Sequence, residues 1–311
     1  MTSTIRSPLY SDYLLLFSLG AIWGSAFLCI EMALQDFPPT TMAAARIVLG
    51  GLVLALIVLF RGHRLPRAKR DWVLLIIIGL FNSAIPFFLI AWGQQFVSGG
   101  SSAILIAAGP FVALIISHFT TNDDRLTFAK VLGLSLGFIG VAVLVGVDVL
   151  SGQTDTLLAK LAIIAASSCY AFAATLTRKV AHITPLVGSA AVLCSTACFA
   201  LPLALWIDQP WKLTPSPIPI IALLFLCLVP TSLAYLLRFQ LILKTGATFM
   251  SQVSYLVPLF AVLWAWLFIG EVPGRNAWLA LVLILIGIYI SRSKLKTTLI
   301  SKDSIVNWKR K

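Results

Sequence analysis

Ala21-Ile22-Trp23-Gly24-Ser25-Ala26-Phe27 lies in the first long apolar stretch of the chain, and its Trp-Gly pair has a counterpart in Tyr170-Ala171. The echo extends well beyond this spot. Trp23, Pro38, Pro110, Asp123 and Gly140 recur as Tyr170, Pro185, Pro258, Glu271 and Gly287, offset by 147 or 148 residues in every pair. The chain therefore reads as two copies of one apolar unit. When a membrane unit with an odd number of helices is duplicated, the second copy sits in the bilayer the other way up. That is an inverted repeat.

Composition fixes the solvent. Mean hydropathy is +0.99, 59% of residues are hydrophobic and 11% are charged. A soluble domain carries about a quarter charged residues, so most of this chain meets lipid. A net charge of +12 would suggest nucleic acid in a soluble protein. Here the basic residues fall in short loops and in the tail, as membrane orientation requires, and the nucleic-acid reading is set aside.

About 20 apolar residues cross the hydrocarbon core as a helix. Ten segments qualify: 12–34, 39–60, 71–96, 99–119, 126–147, 157–178, 185–207, 217–242, 246–270 and 275–292. Turn signals such as Phe37-Pro38-Pro39, Ser98-Gly99-Gly100 and Gly270-Glu271-Val272-Pro273 separate them. With the N-terminus cytoplasmic, that face receives nineteen Lys and Arg residues and the other face only Lys160, Lys212 and Arg275, Arg46 being intramembrane. The sequence thus predicts an all-α membrane protein of ten transmembrane helices, arranged as two inverted five-helix repeats with both termini cytoplasmic. The repeats occupy residues 1–150 and 151–293, and a basic tail follows at 294–311. Trp72, Trp206, Trp211 and Trp278 fall near the interfaces. The first apolar stretch reads as a spanning helix, not as a cleaved signal. The tail reads as an anchor against anionic lipid.

Cys29, Cys169, Cys194, Cys198 and Cys227 all lie inside the apolar segments, with no CxxC pair. They read as small buried side chains, with no metal site expected.

The Ala21–Phe27 segment resembles the first-helix signature of the EamA family, in the drug/metabolite transporter superfamily. Pro110 with Asp123, and Pro258 with Gly270-Glu271 and Gly287, are similar to the ends of its two repeats. The resemblance covers about residues 12–292. It implies export of small metabolites across a bacterial inner membrane by alternating access, without a cofactor. Within the family the chain looks most like YddG-type exporters of aromatic and other amino acids. The copies have diverged: Tyr170 stands for Trp23, Ala171 for Gly24 and Leu193 for Arg46. Substrate contacts therefore need not be symmetric.

A transport site is expected near the midplane, where the repeats meet. Counting along the spans brings Trp23, Asn82, Ser83, Ser167, Ser168, Tyr170 and Tyr255 to that depth, with Gln252 and Ser254 nearby. Polar groups at this depth need partners or a wet cavity. Interhelical hydrogen bonding is the alternative reading for the serines and Asn82, and helix packing for Trp23. Pro86, Pro110, Pro230 and Pro258 sit mid-span, as fixed kinks or as hinges that free a carbonyl. Gly20-xxx-Gly24 and Gly133-xxx-Gly137 read as close packing. Glu31 and Arg46 lie about equally far from the Phe37–Pro39 turn, which predicts a structural ion pair, an outer gate, or an Arg46 that attracts a substrate carboxylate. No central acid stands out, and His118, His63 and His182 lie at span ends or in loops, so proton coupling has weak support.

An intramembrane enzyme would need a catalytic group, and the chain has no HExxH and no phosphate-binding glycine loop; its one GxSxG match, Gly133-Leu134-Ser135-Leu136-Gly137, lies inside an apolar span where the two glycines read as close packing. A passive channel is the rival of another class. Sugar-phosphate carriers, or carriers of other organic solutes, are the rival within transporters, but anionic substrates should demand several cavity cations and only Arg46 qualifies. The reading is a secondary transporter for neutral or aromatic amino acids, its partners a small-molecule substrate and the lipid bilayer. Fusion of both copies in one chain predicts that it works as a monomer.

Overall fold

The computed structural model describes residues 8–109, 111–112, 128–151, 154–245, 247–250 and 252–292. Pro110, His118, Asp123 and the tail lie outside them. The described residues are helical throughout, with no strand among them. We number α1 Tyr10–Ala33, α2 Pro39–Phe60, α3 Lys69–Gly93, α4 Gly99–Ile106, α5 Phe128–Ser151, α6 Thr154–Thr177 and α7 Pro185–Ile207. α8 joins Pro217–Leu226 to Ala234–Thr245, α9 is Val253–Ile269 and α10 is Arg275–Arg292.

Proline and glycine set the boundaries. Pro39, Pro185 and Pro217 occupy first helical positions, where a missing N–H costs nothing. Gly270 ends α9 with φ 69°, a left-handed backbone that a side chain would strain. α1, α2, α3, α6, α7 and Pro217–Arg238 of α8 are long and apolar enough to cross a bilayer. Between a third and a half of each such span is buried in the bundle, from 33% to 50%. The rest is largely apolar too, with Phe60 and Trp206 among the exposed side chains. Helices apolar on every side need a lipid surround.

Small residues bring the helices together. α1 runs side by side with α9 and the short helix Ala247–Met250 before it, pairing Tyr13 with Phe249 of that short helix, and Gly20 with Leu256 and Gly24 with Phe260 of α9, a constant offset of 236 residues. A Cβ on Gly24 would stand 2.6 Å from the Phe260 Cβ and 2.8 Å from the Ala261 backbone nitrogen. α5 and α10 meet as closely, since a Cβ on Gly287 would stand 2.6 Å from the Gly133 carbonyl. α2 packs on α7 and α5 on α10, each on the helix at the matching place in the other half. Likewise α1 packs on α8 and α9 of the second half, and α6 on α3 and α4 of the first. Exchanging the halves maps each pairing onto another.

α3 and α8 each contain one wider, π-helical turn, Leu80–Ala84 and Cys227–Leu233. These turns begin 147 residues apart. Such bulges interrupt the regular hydrogen-bond ladder and recur at functional sites.

Candidate functional site

The π turn of α8 forms around a proline. Pro230 has no N–H, so a carbonyl one turn back loses its donor. Two hydroxyls repair the ladder: Thr231 Oγ1 donates to the Leu226 carbonyl at 2.9 Å, and Ser232 Oγ to the Cys227 carbonyl at 3.1 Å. The Pro230 carbonyl accepts from the Trp23 indole at 3.1 Å, tying α1 to α8. Arg46 Nε donates to Thr231 Oγ1 at 3.4 Å. The Arg46 guanidinium carbon lies 3.8 Å from the Phe87 ring centroid, a cation–π contact. Arg46 is buried, with Tyr170 and Tyr235 in electrostatic range. Among the described residues it has no carboxylate partner.

The π turn of α3 reaches across to α8, where Asn82 Nδ2 donates to the Tyr235 hydroxyl at 3.0 Å. Ser83 beside it is fully buried, and its Oγ has no partner among the described residues. Tyr170 packs against the cluster of Ala43, Ile47 and Phe87 and lies in electrostatic range of Arg46 and Tyr235. Trp23, Arg46, Asn82, Ser83 and Tyr170 thus gather around the paired π turns.

Other expected residues stand elsewhere. Ser167 donates to the Ile106 carbonyl at 3.1 Å and fills the space beside Gly109, which is packing between α6 and α4. Ser168 bonds back to the Ile164 carbonyl of its own helix at 3.0 Å. Gln252 is exposed just before α9 begins. The α1–α9 register sets it level with Leu16, seven residues or about 10 Å along the axis from Trp23. The same register sets Tyr255 level with Leu19, and its side chain lies outside the described atoms.

The expected Glu31–Arg46 pair does not form. Residues 34–37 make a turn, so α1 ends at Ala33 and Glu31 lies in its last turn, whereas Arg46 lies two turns into α2. They also face different neighbours: Arg46 faces α8, and the Glu31 carboxylate accepts the Gly99 N–H at 3.0 Å, capping α4.

Phe87, Thr231 and Tyr235 complete the central group and escaped the sequence reading. The hydroxyls that follow Pro230 were the available signal, because a proline in a lipid-spanning helix needs a local replacement donor.

Around α1–α2, aspartates hold the helix starts. Asp208 accepts from the Thr41 N–H and hydroxyl, both at 2.7 Å. Asp36 accepts from the Ser216 N–H at 2.7 Å and its hydroxyl at 2.6 Å, and these two bonds hold the Asp36 carboxyl below its ordinary range. Two grooves lie away from the centre. One of about 380 Å³ is apolar, between Leu263, Trp266 and Trp278 on the α9–α10 surface. The other is basic, with His63, Arg64, Arg67 and the His182–Asp71 pair, 3.1 Å apart.

An EamA-like transporter family model matches residues 11–146 and again 157–293. The chain belongs to the EamA-like transporter family. This EamA-like transporter is a multi-pass inner membrane protein. It is similar to the uncharacterized transporter YoaV of Bacillus subtilis, at 25% identity over 88% of this chain and 94% of that one. It is 28% identical to the S-adenosylmethionine/S-adenosylhomocysteine transporter of Chlamydia muridarum, covering 83% and 84% of the two chains. The uncharacterized inner membrane transporter YedA of Escherichia coli is 25% identical, with 90% of this chain and 92% of YedA covered. A solved crystal structure shares the fold, with a TM-score of 0.66 at 20% identity, covering 91% of this chain and 97% of its own.

Proposed function

We propose that this EamA-like transporter exports neutral amino acids, aromatic ones preferentially, by alternating access at the paired π turns. The observation that carries the reading is Arg46, a buried cation that among the described residues is held by a hydroxyl and an aromatic ring and by no carboxylate. A buried charge without a counter-charge is costly, and a substrate carboxylate compensates it. Trp23 and Tyr170 flank the position and offer a substrate ring dispersion and edge contacts. Asn82 supplies a polar contact through an amide already shared with Tyr235. The chlamydial relative lends support, because S-adenosylmethionine and S-adenosylhomocysteine each combine an amino-acid end with an aromatic base.

The architecture proposed is the inverted pair of five-helix repeats, 1–150 and 151–293, with ten spans, cytoplasmic termini, a basic tail at 294–311 and a monomeric functional unit. The exchange symmetry of the packing and the matched π turns support it. In liposomes the wild type is expected to move labelled phenylalanine and tryptophan, and to move phenethylamine, which lacks the carboxylate, at least tenfold more slowly. Equal rates for phenylalanine and phenethylamine, or transport of phosphorylated sugars alone, contradict the reading.

A further inference from the structure

A second polar cluster lies far from the π turns, where the α1–α2 turn, the start of α4 and the α9–α10 turn meet. In the topology proposed above this is the outer end. Two half-buried carboxylates flank the first turn of α4. Glu31 Oε2 lies 2.9 Å from the point where a Cβ on Gly99 would stand, and Glu271 Oε1 lies 3.7 Å from the same point on Gly100. Each is thus within reach of adjacent residues of one helical turn, and Glu271 is an electrostatic neighbour of Glu31.

A helix cap explains only part of this arrangement. One carboxylate satisfies the Gly99 N–H. A second one facing it adds repulsion, and the helix end offers only about half a positive charge against it. Two buried oxygens at this turn have no hydrogen-bond partner among the described residues. One is Glu271 Oε2. The other belongs to Gln94, 6% exposed, which converges on the same turn: its Nε2 lies 3.3 Å from the Gly99 Cβ point and donates to the Phe27 carbonyl, which leaves Oε1 without a partner. Buried acceptors left unpaired are costly, and more so when charged. Carboxylate and amide oxygens gathered in this way suit a hard cation.

The other described charged groups on the neighbouring elements include Asp36 in the α1–α2 turn, whose carboxylate is tied to Ser216, Lys160 in the second turn of α6, and Arg275, exposed, at the start of α10. From sequence alone, the positions matching Glu31 and Glu271 in the other copies are Arg178 and Asp123, a basic and an acidic residue.

We infer that Glu31 and Glu271, with Gln94 Oε1, form a binding site for one small cation, a proton or a sodium ion, open to the outer face. Being filled from outside, the site gives the transporter a coupling ion that enters as substrate leaves. The coupling role rests on the export reading, whereas cation binding does not.

The test is thermal unfolding of the purified full-length protein in detergent, compared with Glu271→Gln. A cation that binds only the folded state raises the midpoint. Replacing choline by sodium at constant ionic strength and fixed pH should raise the wild-type midpoint by about 2–5 °C if sodium fills the site. Lowering the pH from 8 to 6 in choline should do so if a proton fills it. Glu271→Gln should lose whichever response the wild type has. Should that variant fail to fold, Gln94→Met, which removes one oxygen, should reduce the response at least severalfold. A wild type that responds to neither ion, or a variant that keeps the full response, overturns the site. If phenylalanine is not transported while the response and its loss are as described, the substrate reading fails and the cation site stands.

Discussion

The two π turns occupy the same place in the two halves and are built from opposite materials. The turn of α8 contains Pro230, and its hydroxyls close back on their own helix, so its free carbonyl is given to Trp23. The turn of α3 has no proline inside it. It directs its polar group outward, with Asn82 reaching Tyr235, and keeps Ser83 without a partner among the described residues. One turn is thus self-satisfied and braced by α1 and α2, and the other depends on its opposite number. This difference suggests that α8 is the fixed wall of the site and α3 the wall that moves, because a bulge held by one neutral hydrogen bond opens at low cost.

Pressing on the braced turn should have the largest effect. A Cβ on Gly50 would stand 2.7 Å from Thr231 Cγ2, so Gly50→Ala should lower stability in detergent by about 1–3 kcal/mol, the cost of overpacking. An unchanged melting midpoint would mean that α8 yields easily, reversing the comparison. Trp23→Phe keeps the ring and strands the Pro230 carbonyl, for a loss of about 1–2 kcal/mol in the same assay. A double-mutant cycle of Asn82→Ala with Tyr235→Phe should give a coupling of about 0.5–1.5 kcal/mol. Zero coupling would leave the two turns independent. The smallest effect belongs to the Asp36 tether. Its carboxyl titrates below its ordinary range in the folded protein, so its contribution is present above the ordinary value of 3.8 and fades as pH falls through the folded value. Asp36→Asn should flatten the acid limb of a stability–pH curve below about pH 4 and leave the Asn82–Tyr235 coupling untouched.

The apolar runs and their proline and glycine punctuation made the spans legible, since lipid forces almost every spanning backbone group into a helix. Depth could be counted, and Trp23 and Asn82 each find a partner on α8, while Tyr170 lies in electrostatic range of Arg46 and Tyr235. Counting failed where the chain departs from continuous helix. Glu31 misses Arg46 because residues 34–37 turn, and Gln252 stands apart because α9 starts only at Val253. Partners far apart in sequence leave no local trace. Arg46 finds Thr231 at a separation of 185 residues, and nothing near Arg46 foretells a hydroxyl instead of a carboxylate. The signal for the α3 bulge was Pro86, two residues past it, whose missing N–H removes the donor for a carbonyl within the turn.

The central claim is that substrate is held between the two π turns, and the most direct measurement is transport of phenylalanine against alanine in liposomes by Trp23→Ala, Tyr170→Ala and Asn82→Ala, with Gln252→Ala as the distant reference. Removing either aromatic ring should weaken phenylalanine transport by several-fold, corresponding to about 0.5–1.5 kcal/mol, with a smaller effect on alanine. Asn82→Ala should weaken transport of both substrates, and Gln252→Ala should match the wild type. Normal phenylalanine transport by all three central variants at wild-type expression, or a loss confined to Gln252→Ala, would contradict the account.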